Sequence, residues 1–166
     1  MTGLAVPRRL SAHGLSCAVP PGWDVRIERR QEADVPAPAS NVPMGGYVHP
    51  VLHAGTSRLP ARRGDYGSGY VERMRPTDVF VCLAEFDHEA GATDMFVDGQ
   101  PRRVASADFH PNAQQRVIAG MCGTQRFFAA EGRAFCLYVV LGSWVQRRHL
   151  TDVANSFIST VRIAPR

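Results

Sequence analysis

"EGRAFCLYVVLGSWVQRRHL", residues 131–150, is the most apolar run of the chain and has Cys136 near its middle. Glu131-Gly132 reads as a tight turn that closes a strand hairpin. Arg133 to Leu141 is apolar at odd and even positions alike, the mark of a strand covered on both faces. Cys136 therefore sits among Phe135, Leu137, Tyr138, Val139, Val140 and Leu141. Burial of this kind raises a thiol pKa and leaves it inert. A nucleophilic cysteine also needs a histidine within reach. The nearest in sequence, His149, opens the next element, remote from the middle of the strand. A buried strand is thus the reading of Cys136. Beyond it, Leu150, Val153, Ala154, Phe157, Ile158 and Val161 recur at the spacing of an amphipathic helix stripe. Ser143 and Gln146 have capping-box spacing for that helix, and Pro165 follows its end.

Outward from this stretch, other strands follow from the same pattern. Val79 to Phe86 is apolar on both faces and reads as a second central strand, its one charge, Glu85, falling near the exposed end. Thr124 to Ala130 and Gln115 to Met121 read as further strands. Leu15, Cys17 and Val19 alternate with Ser16 and Ala18, and Trp23, Val25 and Ile27 alternate with Asp24, Arg26 and Glu28. With Pro20-Pro21-Gly22 between them, these runs predict an N-terminal β-hairpin. Residues 47–54 read as a strand in which Pro50 marks an edge or a bulge. Residues 31–46, QEADVPAPASNVPMGG, form a Pro-rich loop that holds three apolar side chains, Val35, Val42 and Met44. Between residues 90 and 114 the pattern is weak, with a turn at Asp98-Gly99 and a strand expected at Arg102 to Phe109.

At 166 residues the chain suits a single domain over 1–166, with residues 1–13 as an N-terminal arm. Its 19 basic residues are all arginine, against 15 acids, for a net charge of +4. Many occur as scattered pairs with acids between them, a distribution that does not suit nucleic-acid binding. No run reaches the ~20 apolar residues of a spanning helix. Arg8-Arg9 and Leu15-Ser16-Cys17 lack the ~7–15-residue apolar core of an export signal. A cytoplasmic location is expected. Cys17, Cys82, Cys122 and Cys136 form no C-x-x-C pair, and in a reducing compartment they act as small buried hydrophobes.

Three patterns invite a chemical reading. His49 and His53 would share a metal on a helix, but on a strand they stand ~13 Å apart. Gly64-Asp65-Tyr66-Gly67-Ser68-Gly69 has the glycines of a phosphate loop without its lysine. It reads better as a turn leading into a short helix, Tyr70 to Arg75, with Ser68 as its cap. Asp87, His88 and Glu89 are consecutive on a turn and point in different directions, so they read as solvated. No cofactor and no metal are implied.

The start L-x-x-x-V-P-x-G-W (Leu15 to Trp23), the hairpin strand G-R-A-F-C-L-Y-V-V (Gly132 to Val140) and the helix V-A-N-S-F-I-S-T-V-R-I (Val153 to Ile163) together resemble the PsbP-like superfamily. That superfamily includes photosystem PsbP subunits, Mog-type Ran-binding proteins and EagR-type secretion chaperones. The likeness covers about a third of the chain. It implies an α/β/α sandwich with a central antiparallel sheet, and a non-enzymatic protein-binding role as adaptor, assembly factor or chaperone. On this reading the partner is another protein, with Val35, Val42 and Met44 as contacts and no membrane. The alternative is a small-ligand binder or enzyme using Asp87-His88-Glu89 or the Gly64 to Gly69 region.

Overall fold

A computed structural model of the chain describes residues 6–29 and 49–166. Nine strands and one α-helix are found among them, arranged as two sheets. The strands are β1 (Arg8–Ala12), β2 (Leu15–Val19), β3 (Asp24–Arg29), β4 (Pro50–Gly55), β5 (Val79–Phe86), β6 (Val97–Asp98), β7 (Cys122–Ala130), β8 (Arg133–Leu141) and β9 (Arg162–Ile163). The helix, α1, spans Arg147–Ile158. The larger sheet has six strands in the order β3-β4-β5-β8-β7-β6, antiparallel except for the short β6–β7 pair. The smaller sheet runs β1-β2-β9.

β5 and β8 lie at the centre, paired from Val79↔Leu141 to Phe86↔Ala134. All nine residues of β8 are buried, as their apolar character on both faces requires. Because side chains alternate across a strand, Phe135, Leu137, Val139 and Leu141 point to one core and Cys136, Tyr138 and Val140 to the other. The first core receives Leu150, Ala154, Phe157 and Ile158 from α1, together with β2 of the small sheet. Trp23 stacks on Phe157 with ring centroids 5.2 Å apart. Asn155 joins the helix to the sequence before β7: it accepts from the Val104 N–H at 2.8 Å and donates to its carbonyl at 2.9 Å.

The opposite face is covered differently. Leu59, Tyr66, Tyr70, Val71 and Met74, with Ile118 and Met121, close over Val51, Phe80, Cys82, Ala84, Cys136, Tyr138 and Val140. Among the described residues the only regular element in that cover is a single 3-10 turn, Val71–Arg73. Both faces of the sheet are therefore buried as expected, but helices on both faces are not seen among the described residues. Glycine lets an irregular segment lie this close: a Cβ on Gly67, which has φ +84°, would stand 2.5 Å from the Phe80 ring.

The hairpins differ from the pattern reading. β2 turns back on β1 through His13-Gly14, both with positive φ, so residues 8–12 of the expected arm are a strand. The Pro20-Pro21-Gly22 turn does form, with the Trp23 N–H on the Pro20 carbonyl. It carries the chain from the small sheet into the large one, where β3 pairs with β4. Both runs still face one core, which is why their alternation looked like a single hairpin. Pro50 begins β4, inside the sheet, where a strand's first residue tolerates proline. Residues 102–109 and 115–121 are not strands; the first contains only a 3-10 turn at Ser106–Asp108. Glu131-Gly132 forms the expected turn, with φ of 54° and 70°.

A candidate binding cleft

Two groups of arginines stand out, and they differ in how their donors are used. The first surrounds Arg133, which opens β8 and is buried. Its Nε and Nη2 donate to the two carboxylate oxygens of Glu85 on β5, at 3.0 and 2.8 Å. Nη1 donates to the carbonyls of Gly14 and Ala164, and Nη2 also to that of His13. The guanidinium thus ties the central strands to the β1–β2 turn and the C-terminal tail. Arg166 donates at 2.9 Å to Glu85 Oε1, the oxygen that also accepts Arg133 Nε. Glu85, expected near an exposed end, is 1% exposed. Burial alone would raise its carboxyl, but hydrogen bonds and charge from Arg133 and Arg166 hold it below its ordinary value.

The second group rims a cleft of about 370 Å³ beside β3, an edge strand of the large sheet. Its lining is Arg26, Arg58 and Arg73, with Ser57, the run Leu59-Pro60-Ala61, Gly69 and Tyr70. β3 alternation sends Arg26 to the face opposite Val25 and Ile27. Arg26 pairs with Asp24 at 3.4 Å. Arg58 and Arg73 are exposed, and their side chains make no hydrogen bond or ion pair to any described residue. Among the described residues no acid lines the cleft, and the acids near it are engaged. Asp24 accepts the Leu59 N–H at 2.9 Å as well as Arg26; although burial opposes ionisation, these bonds hold its carboxyl below the usual range. Glu72 accepts the Gly69 N–H at 2.7 Å.

The wall of this cleft is braced from beneath. Arg63, its side chain 3% exposed, donates to His53 Nδ1 at 2.8 Å, to the Pro60 carbonyl and to Glu28. An arginine N–H on Nδ1 leaves the imidazole proton on Nε2, which lies 2.7 Å from the Asp65 carbonyl. The same carbonyl accepts the Cys82 thiol at 3.0 Å. His53 thus holds two loops, and its ring is committed to that on both nitrogens. Tyr70 is fixed through its hydroxyl, 2.9 Å from Ser57 Oγ, and a Cβ on Gly55 would collide with that hydroxyl. Burial raises the Tyr70 pKa against the opposing Ser57 bonds.

The residues singled out by sequence fall elsewhere. Val35, Val42 and Met44 lie outside the described residues. Asp87, His88 and Glu89 are exposed at the start of a 3-10 turn, and Asp87 pairs with His49 at 2.6 Å rather than with its neighbours. In the Gly64 to Gly69 loop, the N–H groups of Gly64, Gly67 and Gly69 go to Ser68, Gly64 and Glu72. Ser68 does not cap the turn that follows. Cys136 is fully buried, and desolvation pushes its thiol up to about 11 despite a hydrogen bond with Tyr66. Cys82 and Cys136 flank Tyr138 in the second core. Among the described residues, no group of three or more His, Cys, Asp or Glu is placed to hold a metal ion. No described helix is long and apolar enough to cross a membrane. The chain matches no protein-family profile, no curated protein and no solved structure.

Sequence reasoning missed the cleft. Arg26, Arg58 and Arg73 are far apart in the chain, and none belongs to the conspicuous arginine pairs. Only the alternation of β3, which puts Arg26 opposite the apolar face, hinted at one of them.

Proposed function

We propose that this chain is a non-enzymatic accessory factor that acts by binding another protein, as an adaptor, assembly factor or chaperone. The observation that carries the reading is the open cleft beside β3, where two arginines with no side-chain partner among the described residues flank a short apolar run held in place by a buried network. Arginine is enriched where proteins recognise one another, because its planar fork binds in defined directions. The buried, raised thiol of Cys136 and the committed ring nitrogens of His53 suit structural roles. A PsbP-like α/β/α sandwich remains the proposed architecture. It is supported by the sheet buried on both faces, the β7–β8 hairpin and the terminal helix packed on one face. Four buried cysteines without a disulfide suit the proposed cytoplasmic setting.

The second reading, a small-ligand site, draws on the cleft volume, which falls in the range of about 300–1,000 Å³ found for ligand pockets. Gly69 of the glycine loop is part of the lining. Site-specific photo-cross-linking separates the two. With a photoreactive residue in place of Ala61, exposed at the cleft, irradiation in the source cells yields a discrete protein adduct if the proposal holds. A probe at exposed Asp152 on α1 is the control. Absence of a protein adduct at Ala61, or the same adducts at both positions, contradicts it.

A further inference from the structure

We infer that the cleft is built for an acidic peptide segment, in which carboxylates meet Arg58 and Arg73 and a small apolar side chain lies between them. The inference rests on the protein-binding reading above and states the chemistry of the partner. Charge complementarity is the first ground. Among the described residues three arginines line the cleft and no acid does, and of the three only Arg26 is balanced, by Asp24. Among the described residues the Arg58 and Arg73 side chains are exposed and unpaired, whereas other arginines are matched by carboxylates: Asp78 for Arg75, Asp108 for Arg126, Glu28 for Arg63. Two guanidiniums left facing one concavity are a standing attraction for carboxylate, which each can bind through two parallel hydrogen bonds.

The arrangement of the cations is the second ground. Arg26 lies on β3, Arg58 follows β4, and Arg73 lies in the 3-10 turn, so the charges enter the cleft from three separate elements. An extended chain offers each fork its own carboxylate, whereas a compact anion must draw them to one point. Pro60 and Ala61, between these elements, are partly or fully exposed and give an apolar residue of the same segment a surface to cover. Because Arg63 and His53 hold that run from beneath, little ordering of the protein is needed on binding.

Stacking chemistry argues against a single-stranded nucleic acid as occupant. Such ligands use exposed aromatic platforms beside their cations. Every described aromatic side chain is buried or half-buried, and Tyr70, the one aromatic of the cleft, is 3% exposed.

The test uses the full chain and a fluorescein-labelled peptide in which glutamates surround a central leucine. Controls are the same peptide with glutamine for glutamate, inorganic phosphate and a labelled oligothymidylate. Fluorescence anisotropy should show saturable binding of the acidic peptide that weakens as salt rises, and none of the glutamine peptide. The Arg58→Ala and Arg73→Ala variants should each weaken binding about fivefold to tenfold, on the order of one net hydrogen bond. The lysine replacements should recover part of it. Arg148→Ala, an exposed arginine on α1, should leave binding unchanged. Equal affinity in wild type and the Arg58→Ala, Arg73→Ala double variant overturns the inference. So does tighter binding of oligothymidylate, or full displacement of the peptide by millimolar phosphate, which would mark a small-anion site. If the peptide does not bind while a protein adduct forms at position 61, the acidic chemistry is wrong and the protein-binding reading stands. If neither is seen, both fall.

Discussion

Arg133 and Arg58 carry the same guanidinium and do opposite work. Arg133 is buried, faces a carboxylate bidentately and donates to three carbonyls, two in the β1–β2 turn and one in the C-terminal tail. Arg58 stands in solvent at the rim of a cleft and has no partner among the described residues. A saturated buried cation is a structural joint, because moving it leaves five contacts and a charged Glu85 unmatched. An unsaturated exposed cation adds little to stability and keeps its binding capacity for something outside the fold. The contrast teaches that arginine count says little here; partner count separates the structural joint from the proposed binding surface.

The largest effect expected from this contrast is at the joint. Arg133→Ala should cost about 3–5 kcal/mol in chemical denaturation, because it strands a buried carboxylate and three carbonyls. A cost below about 1 kcal/mol would mean that water or Arg166 takes over the site.

Acid titration sharpens the same point. Glu85 is held below its ordinary value of 4.5 in the fold and titrates normally when unfolded. A group depressed in this way stabilises the protein above the unfolded pKa, and the contribution disappears as pH falls through the folded one. Asp24, Asp78 and Asp108 are lowered as well and act in the same direction. Stability should therefore be level above about pH 5.5 and fall below about pH 4.5. In Glu85→Gln the midpoint of denaturation should be lower at neutral pH and the acid slope shallower. An unchanged slope would remove Glu85 from the acid response.

The smallest effect is expected at the cleft. Arg58→Ala and Arg73→Ala should change stability by less than about 0.5 kcal/mol each, as exposed substitutions without partners do. A thermal shift comparable to that of Arg133→Ala would show that the rim is part of the structure, and would remove the ground for reading it as a binding surface.

How far the sequence reached follows the same division. Period-2 and period-3.6 patterns identified β3, β5, β7, β8 and α1, because each is set by burial of regularly spaced side chains. Leu150, Ala154, Phe157 and Ile158 line the core as their spacing predicts. Burial of Cys82 and Cys136 was legible for the same reason. The joint was not. Glu85 looked peripheral because a lone acid at a strand end usually meets water, and its partner Arg133 lies 48 residues on. The swap of β2 into the small sheet was hidden by β1, whose Arg8, Arg9 and Ser11 give only a faint alternation. The covering segment over the second face was invisible to periodicity, because glycine-permitted loops have no period. The cleft combines all three difficulties: one strand residue, one loop residue and one 3-10 residue, brought together only by tertiary structure.

The most direct test of the central claim is arginine-selective dicarbonyl labelling of the native protein, read residue by residue by mass spectrometry. Arg58 and Arg73 should be modified in the first minutes, and Arg133 only after denaturant is added. A saturating acidic peptide should then slow Arg58 and Arg73 while leaving exposed Arg148 unaffected. Modification of Arg133 in the native protein as fast as Arg58 would contradict the account, because the joint and the cleft would then be chemically alike.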